Sequence, residues 1–297
     1  MDILLAVIHM GSMGKAAIAL NTSQSAVSKS IACLEHTLGV RLLDRSRQGV
    51  EPTPYGRALV KRGLAMFDEL RQGVQDIAFL ADPTVGEIRA GGSEGTVSGI
   101  FSPIVRGFSE QYPRMSFHII VGDIRSLLRE LDARRTDVVV SRITSPLPDE
   151  YSVEPLFEDN LVVAAGANNP MARRRKVELS ELMDEPWTFQ PSEINFGALV
   201  MDAFRRNGLV PPRITVATTS SNLRSELLAT GRYLTVTTRC AVLLSRGRSA
   251  LKVLPVKFTD ARHKVAIITL KDRSLSRATA LFIDGVRAIT QPLTKPK

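Results

Sequence analysis

Over residues 15–38 the apolar positions recur at helical spacing, and their phase slips once, between Leu20 and Ser23. Such a slip is a corner. Ala16, Ala17 and Leu20 form one short stripe and Val27, Ile31 and Leu34 a second, so two helices can pack across a polar turn at Asn21-Thr22. Ser12 stands where it can cap the first helix and Ser23 the second, because a serine oxygen accepts from the free amides of a first turn. At about 100° per residue, Gln24, Ser25, Ser28 and Lys29 fall on the side away from Val27 and Leu34. That side has no apolar task. Serine and glutamine can bond base edges or phosphates, and Lys29 suits a phosphate or a guanine.

Further along, Val60, Leu64, Phe67, Leu70, Val74 and Ile77 step by three or four, close to the 3.5-residue period of a coiled coil, and predict a helix that wants a partner. Asp82-Pro83 ends it, since proline cannot continue a helix and restricts the residue before it. After Val85-Gly86 the pattern changes to short β runs at 88–91, 115–121, 137–141 and 161–165 with helical stretches between them, which predicts an α/β sheet with crossover connections. More β runs at 214–218, 233–237, 251–256 and 265–270 predict a second lobe and a return, with a last helix over 275–289 packing on the first lobe. In such sheets ligands bind beyond the carboxyl ends of the strands, often at helix N-termini.

Charge sharpens this only locally. The net charge is +9 over 297 residues, but residues 1–62 carry eight Lys or Arg against four acidic residues and residues 81–297 thirty against twenty-three, so the sum does not single out one region. The informative feature is a cluster, Arg41, Arg45, Arg47, Arg57, Lys61 and Arg62, opposed only by Asp44 and Glu51. It can neutralise several phosphates of double-stranded DNA. The run Arg173-Arg174-Arg175-Lys176 reads instead as a solvated loop. No stretch approaches the roughly 18 apolar residues of a membrane span, and no secretory signal is apparent, so a cytoplasmic protein without a membrane partner is expected. Cys33 and Cys240 have no partner at ligand spacing and read as reduced structural thiols. His9, His36, His118 and His263 are scattered, so no metal or cofactor is expected.

The segment from Ser12 through Ile31, with Leu34-Glu35, then Leu38-Gly39-Val40-Arg41-Leu42-Leu43-Asp44-Arg45, closely resembles the LysR-type transcriptional regulators, and Thr53-Pro54-Tyr55-Gly56 is similar to the T-x-x-G that follows their wing. The layout after it matches as well, so the resemblance covers essentially the whole chain. Two departures stand out: the first helix begins abruptly at Met1, and Ser25 occupies a position usually held by proline, a mild change because a helix's first turn accepts either. The resemblance implies an α/β protein with an all-α winged helix-turn-helix N-terminal domain (1–58), a linker and dimerisation helix (59–82), and a two-lobed effector-binding domain similar to periplasmic binding proteins (85–297, lobe I about 85–162 and 264–297, lobe II about 163–263).

The DNA-contacting residues expected are Lys15, Ser23, Gln24, Ser25, Ser28, Lys29, Arg45 and Arg47. For the small-molecule effector the resemblance implies Thr96 near the start of a helix after Gly91-Gly92-Ser93, Asp123 after the second strand, Arg142 at the end of the third, Asn195 and Phe196 on the opposite wall, and Ser221 and Asn222 opening another helix. Arg142 could pair with an anionic effector or with Asp123. Association into a homodimer or homotetramer and contact with RNA polymerase are further implications. The alternatives, an exported solute-binding protein or an enzyme on the C-terminal lobes, fit less well: the first would lack residues 12–56, and no nucleophile elbow, cysteine dyad or dinucleotide fingerprint occurs.

Overall fold

The computed structural model describes residues 1–46, 49–193, 195–244, 251–258 and 262–294, and it divides into two units, Met1–Val74 and Gln75–Lys297. In the first, α1 (Asp2–Met10), α2 (Met13–Ala19) and α3 (Gln24–Leu38) are separated by tight turns. Gly11 and Gly39 end α1 and α3 in the left-handed region (φ 63° and 68°), where a glycine has no Cβ to clash, and Asn21 makes the α2–α3 corner at φ 51°. Leu4 and Val7 of α1 meet Ala16 and Ala17 of α2 and Val27 and Ile31 of α3, all at most 3% exposed. The two alanines let the helices approach closely, as their spacing predicts. Strands β1 (Leu43–Ser46) and β2 (Gly49–Pro52) pair antiparallel as the wing, with Leu43 opposite Pro52. Then α4 begins at Pro54 and runs to Ala81, 28 residues.

The second unit holds β3 (Val85–Gly92), α5 (Glu94–Thr96), a wide turn over Val97–Phe101, α6 (Ser102–Gln111), β4 (Arg114–Val121), α7 (Ile124–Asp132), β5 (Val138–Ile143) and β6 (Tyr151–Gly166). These are followed by β7 (Trp187–Phe189), α8 (Asn195–Arg206), β8 (Ile214–Ala217), α9 (Ser221–Ala229), β9 (Leu234–Thr238), α10 (Arg239–Leu244), β10 (Leu251–Val253), β11 (Arg262–Leu270) and α11 (Arg277–Thr290). The strands run in the order β4-β3-β5-β11-β6-β9-β7-β8, with β10 also on β6. In lobe I, β3 lies parallel to β4 and β5, while β11 runs antiparallel to β5 and β6. In lobe II, β7 lies parallel to β8 and β9.

One strand belongs to both lobes. Residues 151–160 of β6 pair with β11, and residues 161–165 pair with β9. Each lobe has its own core. Val138 and Val140 face Phe101 and Phe282, whose rings meet edge to face at 5.0 Å, whereas Val139 faces Leu127 and Leu131 on the other side of the sheet. Both faces are therefore covered, which explains why Val138, Val139 and Val140 form an unbroken apolar run. Lobe II packs Trp187 against Phe189 and Phe204, and the indole Nε1 donates to the Leu182 carbonyl at 2.8 Å.

Candidate nucleic-acid face and ligand cleft

Ser23 caps α3: its hydroxyl accepts from the Ala26 amide at 3.1 Å and shares a hydrogen bond with Ser25 Oγ at 2.9 Å. With Val27 and Ile31 pinned in the core, Gln24, Ser25 and Lys29 are exposed and Ser28 is half-buried. Gln24 leans toward α2, where a Cβ on Gly14 would sit 3.7 Å from its Oε1, and Lys15 beside that glycine is exposed. Ser12 occupies the N-cap of α2 but makes no side-chain cap bond. Arg45 is exposed on β1, and Arg47 lies outside the described residues.

Two side-chain devices and one main-chain hydrogen bond hold this face to the wing. The Glu35 carboxylate accepts from the amides of Leu42 (2.7 Å) and Leu43 (3.2 Å), which ties the back of α3 to the start of β1. The Thr53 hydroxyl donates to the Arg41 carbonyl at 2.7 Å and accepts from the Gly56 amide at 3.0 Å, so it caps α4 while gripping the strand. The Val50 amide donates to the Gly11 carbonyl at 3.0 Å, docking β2 on the α1–α2 corner.

In the second unit the carboxyl ends of β3, β4 and β5 lead into Ser93, Gly122 and Thr144. Thr96 is buried and its hydroxyl bonds Ser93 Oγ at 2.9 Å. Arg142 on β5 reaches the other lobe, its guanidinium carbon 5.4 Å from the centre of the Phe196 ring of α8, a cation–π contact. Burial lowers the Arg142 pKa, offset by the charges of Asp159 and Cys240. Burial conversely raises that of Asp159, against hydrogen bonds from the amides of Cys240 and Asn160, the charge of Arg142 and a bond to Thr238. The Cys240 thiol is pushed up to about 12, by burial first and by Asp159 second. His263, opposite Asp159 in the ladder, is held below the usual histidine value by burial and by Arg142. A second bridge between the lobes joins Ser221 Oγ to Glu94 Oε1 at 3.1 Å. Among the described residues no group of three His, Cys, Asp or Glu is placed to hold a metal ion, and no helix is long and apolar enough to cross a membrane.

The family model described as the LysR substrate binding domain matches residues 81–290, and that of the bacterial regulatory helix-turn-helix protein of the lysR family matches residues 1–57. The chain belongs to the LysR family. Among curated relatives it is 25% identical over 279 residues to the HTH-type transcriptional regulator TdcA of Escherichia coli, covering 94% of this chain and 88% of that one. It is 24% identical over 270 residues to the transcriptional dual regulator GltC of Bacillus subtilis, covering 88% and 87%. In fold it is similar to full-length OxyR of Pseudomonas aeruginosa (TM-score 0.69, 20% identity, 100% of this chain and 97% of that). It also resembles full-length CbnR complexed with its target DNA (TM-score 0.53, 21% identity, 97% and 98%). The chain is thus a LysR-family transcriptional regulator: an N-terminal helix-turn-helix followed by an α/β effector-binding domain.

Within this LysR-family frame, the structure brings Arg142 and Phe196 into contact and places Ser221 on a bond between lobes, while Asn222 is exposed one residue on. Asn195 opens α8. Asp123 is engaged differently from the pairing with Arg142 considered above: its carboxylate caps α7, accepting from the Ser126 amide at 2.8 Å. The sequence does not single out Glu94, Asp159 or Arg224, and it marks Cys240 only as a structural thiol. Their partners lie some 80 to 130 residues away in the chain, so no local spacing marks them.

Proposed function

We propose that α3 enters the major groove with Gln24, Ser25, Ser28 and Lys29 toward base edges and phosphates, Ser23 fixing its first turn, and that Lys15, Arg45 and Arg47 hold the flanking backbone. The observation that carries this is the exposure of one polar flank of a capped helix whose other flank is locked by Val27 and Ile31. The boundaries follow the reading given above: a DNA-binding domain over 1–58, a linker helix over 59–82 and an effector domain over 85–297. On α4, Met66, Leu70, Val74, Ile77 and Leu80 are 57–69% exposed, an apolar strip suited to pairing with a second copy into a homodimer or homotetramer.

Thr96, Asp123, Arg142, Asn195, Phe196, Ser221 and Asn222 are the candidate residues for the small-molecule effector, which the cleft takes without performing catalysis. Effector binding shifts the lobes about β6, and the linker helix passes that shift to the paired DNA readers, a coupling on the order of 1 to 3 kcal/mol. The protein works in the cytoplasm, where DNA and RNA polymerase are. Selecting genomic fragments with the purified chain, then footprinting the winners with and without a metabolite panel, tests this reading. A sequence-preferring footprint that changes with one metabolite supports it. No preference for any duplex at moderate salt refutes it.

A further inference from the structure

Helix α9 brings a basic residue to the cleft. Arg224 sits one turn after Ser221, so the two side chains leave the same flank of the helix. Ser221 Oγ meets Glu94 Oε1, and Glu94 supplies the opposite charge that acts on Arg224. Burial lowers the Arg224 pKa, and among the described residues its guanidinium makes no hydrogen bond or ion pair. Arg142 is in the same condition: it stacks on Phe196, and the nearby Asp159 spends its oxygens on the amides of Cys240 and Asn160 and on Thr238. Each guanidinium thus lies where one lobe meets the other, Arg142 of lobe I against Phe196 of lobe II and Arg224 of lobe II within the charge field of Glu94 of lobe I. Gly95, next to Glu94, packs so closely that its Cβ would sit 3.3 Å from Ala241 Cβ, and Ala241 follows Cys240, whose thiol feels Arg142.

We propose that the cleft binds a small-molecule dianion, one anionic group on Arg142 beside the Phe196 ring and the other on Arg224, where it displaces the Glu94 carboxylate. This rests on the reading of the cleft as the effector site. A guanidinium offers parallel N–H groups that match a carboxylate or a phosphate, and partial desolvation strengthens the bond. Glu94 sets specificity. An incoming group must outcompete a carboxylate already held by Ser221, while a neutral or cationic molecule leaves both guanidinium groups unmatched.

The test uses the full chain and calorimetric titration with succinate, glutarate and phthalate, each against the monoanion of the same skeleton: butyrate, pentanoate and benzoate. At least one dianion is expected to bind about tenfold more tightly than its monoanion. Arg224→Met and Arg142→Met should each abolish that advantage. Glu94→Gln, an exposed substitution, should tighten the dianion several-fold, a gain that a misfolded variant does not imitate. A series in which no dianion outbinds its monoanion overturns the proposal. A neutral effector whose binding is lost in Phe196→Ala overturns the dianion and leaves the cleft standing. A dianion that binds equally well to Arg142→Met, Arg224→Met and Phe196→Ala overturns both.

Discussion

Gly56 is pressed against the backbone of Leu42 so closely that a Cβ on Gly56 would fall inside the Leu42 carbonyl group. The T-x-x-G spacing thereby acquires a physical meaning. Thr53 must grip the Arg41 carbonyl and the Gly56 amide together, and the first turn of α4 can come that near only if the fourth residue carries no side chain. Gly56→Ala should therefore destabilise the first unit by about 3 kcal/mol. The check is chemical denaturation of the variant. A midpoint unchanged from wild type would show that the strand can move away.

Glu35 offers a cleaner probe of the same joint. Its carboxylate serves the amides of Leu42 and Leu43, so Glu35→Ala strands two donors at the root of the wing, whereas Glu35→Gln keeps an acceptor in place. A loss of about 2 kcal/mol is expected for the alanine and roughly half that for the glutamine. Reversible unfolding of both variants measures the order, and an equal loss would assign the effect to packing instead.

On α3 itself, Ser28→Ala and Lys29→Ala should each weaken binding to a selected operator by roughly 1 to 3 kcal/mol with thermal stability unchanged. The two differ in kind. The proposed phosphate contact by Lys29 would contribute to the salt dependence, so its loss should flatten the plot of log affinity against log salt by about one unit, while Ser28→Ala leaves that slope alone. Gel-shift titration over a salt series separates them, and wild-type affinity in both variants would remove α3 from the groove.

How much of this was legible in the sequence depends on range. The α2–α3 corner shows in residues 15–38 because its stripes and its Ser23 cap are set by neighbours a few positions apart. The first ten residues of β6 do not read as a strand: Glu154, Pro155, Glu158 and Asp159 interrupt the alternation, yet the ladder to β11 absorbs them with a register shift opposite Pro155. With three residues, β7 is too short to show a period. In the linker, the predicted strip divides: Val60, Leu64 and Phe67 are half-buried, while Leu70, Val74 and Ile77 are exposed. In the cleft, Arg142 was accessible from its place at a strand end, whereas Glu94 and Arg224 acquire meaning only once the lobes face each other.

The two thiols should behave oppositely. Cys33 is exposed on α3 and Cys240 is buried with its pKa pushed up to about 12. Native protein should therefore react with one equivalent of a thiol reagent and unfolded protein with two. The pH dependence follows in sign. The folded thiol holds its proton through the interval from the ordinary value of 9.0 to about 12, in which the unfolded thiol loses it, so folding stability falls as pH rises above 9.0. Melting temperatures of Cys240→Ala should accordingly decline less steeply than wild type in that range, and parallel slopes would contradict the assignment.

Arg273 and Asp137 lie 136 residues apart and both side chains are fully buried; Nη2 of the arginine meets Oδ1 of the aspartate at 2.5 Å, and Nη1 reaches the Thr136 carbonyl at 2.5 Å. Arg89 of β3 shares the same carboxylate oxygen at 3.1 Å. The cluster thus fastens the segment after β11 to the first strands of lobe I. A buried pair of this kind gains little over well-packed apolar side chains, because desolvating two ions costs about as much as their attraction returns, but losing one partner leaves a buried charge. Arg273→Met should therefore cost about 3 to 5 kcal/mol. Adding Asp137→Asn to it should recover part of the loss, since the neutral amide no longer needs two cations. Denaturant titration of the single and double variants decides the matter. Strictly additive losses would mean that the two side chains act independently and that the fastening is made by packing alone.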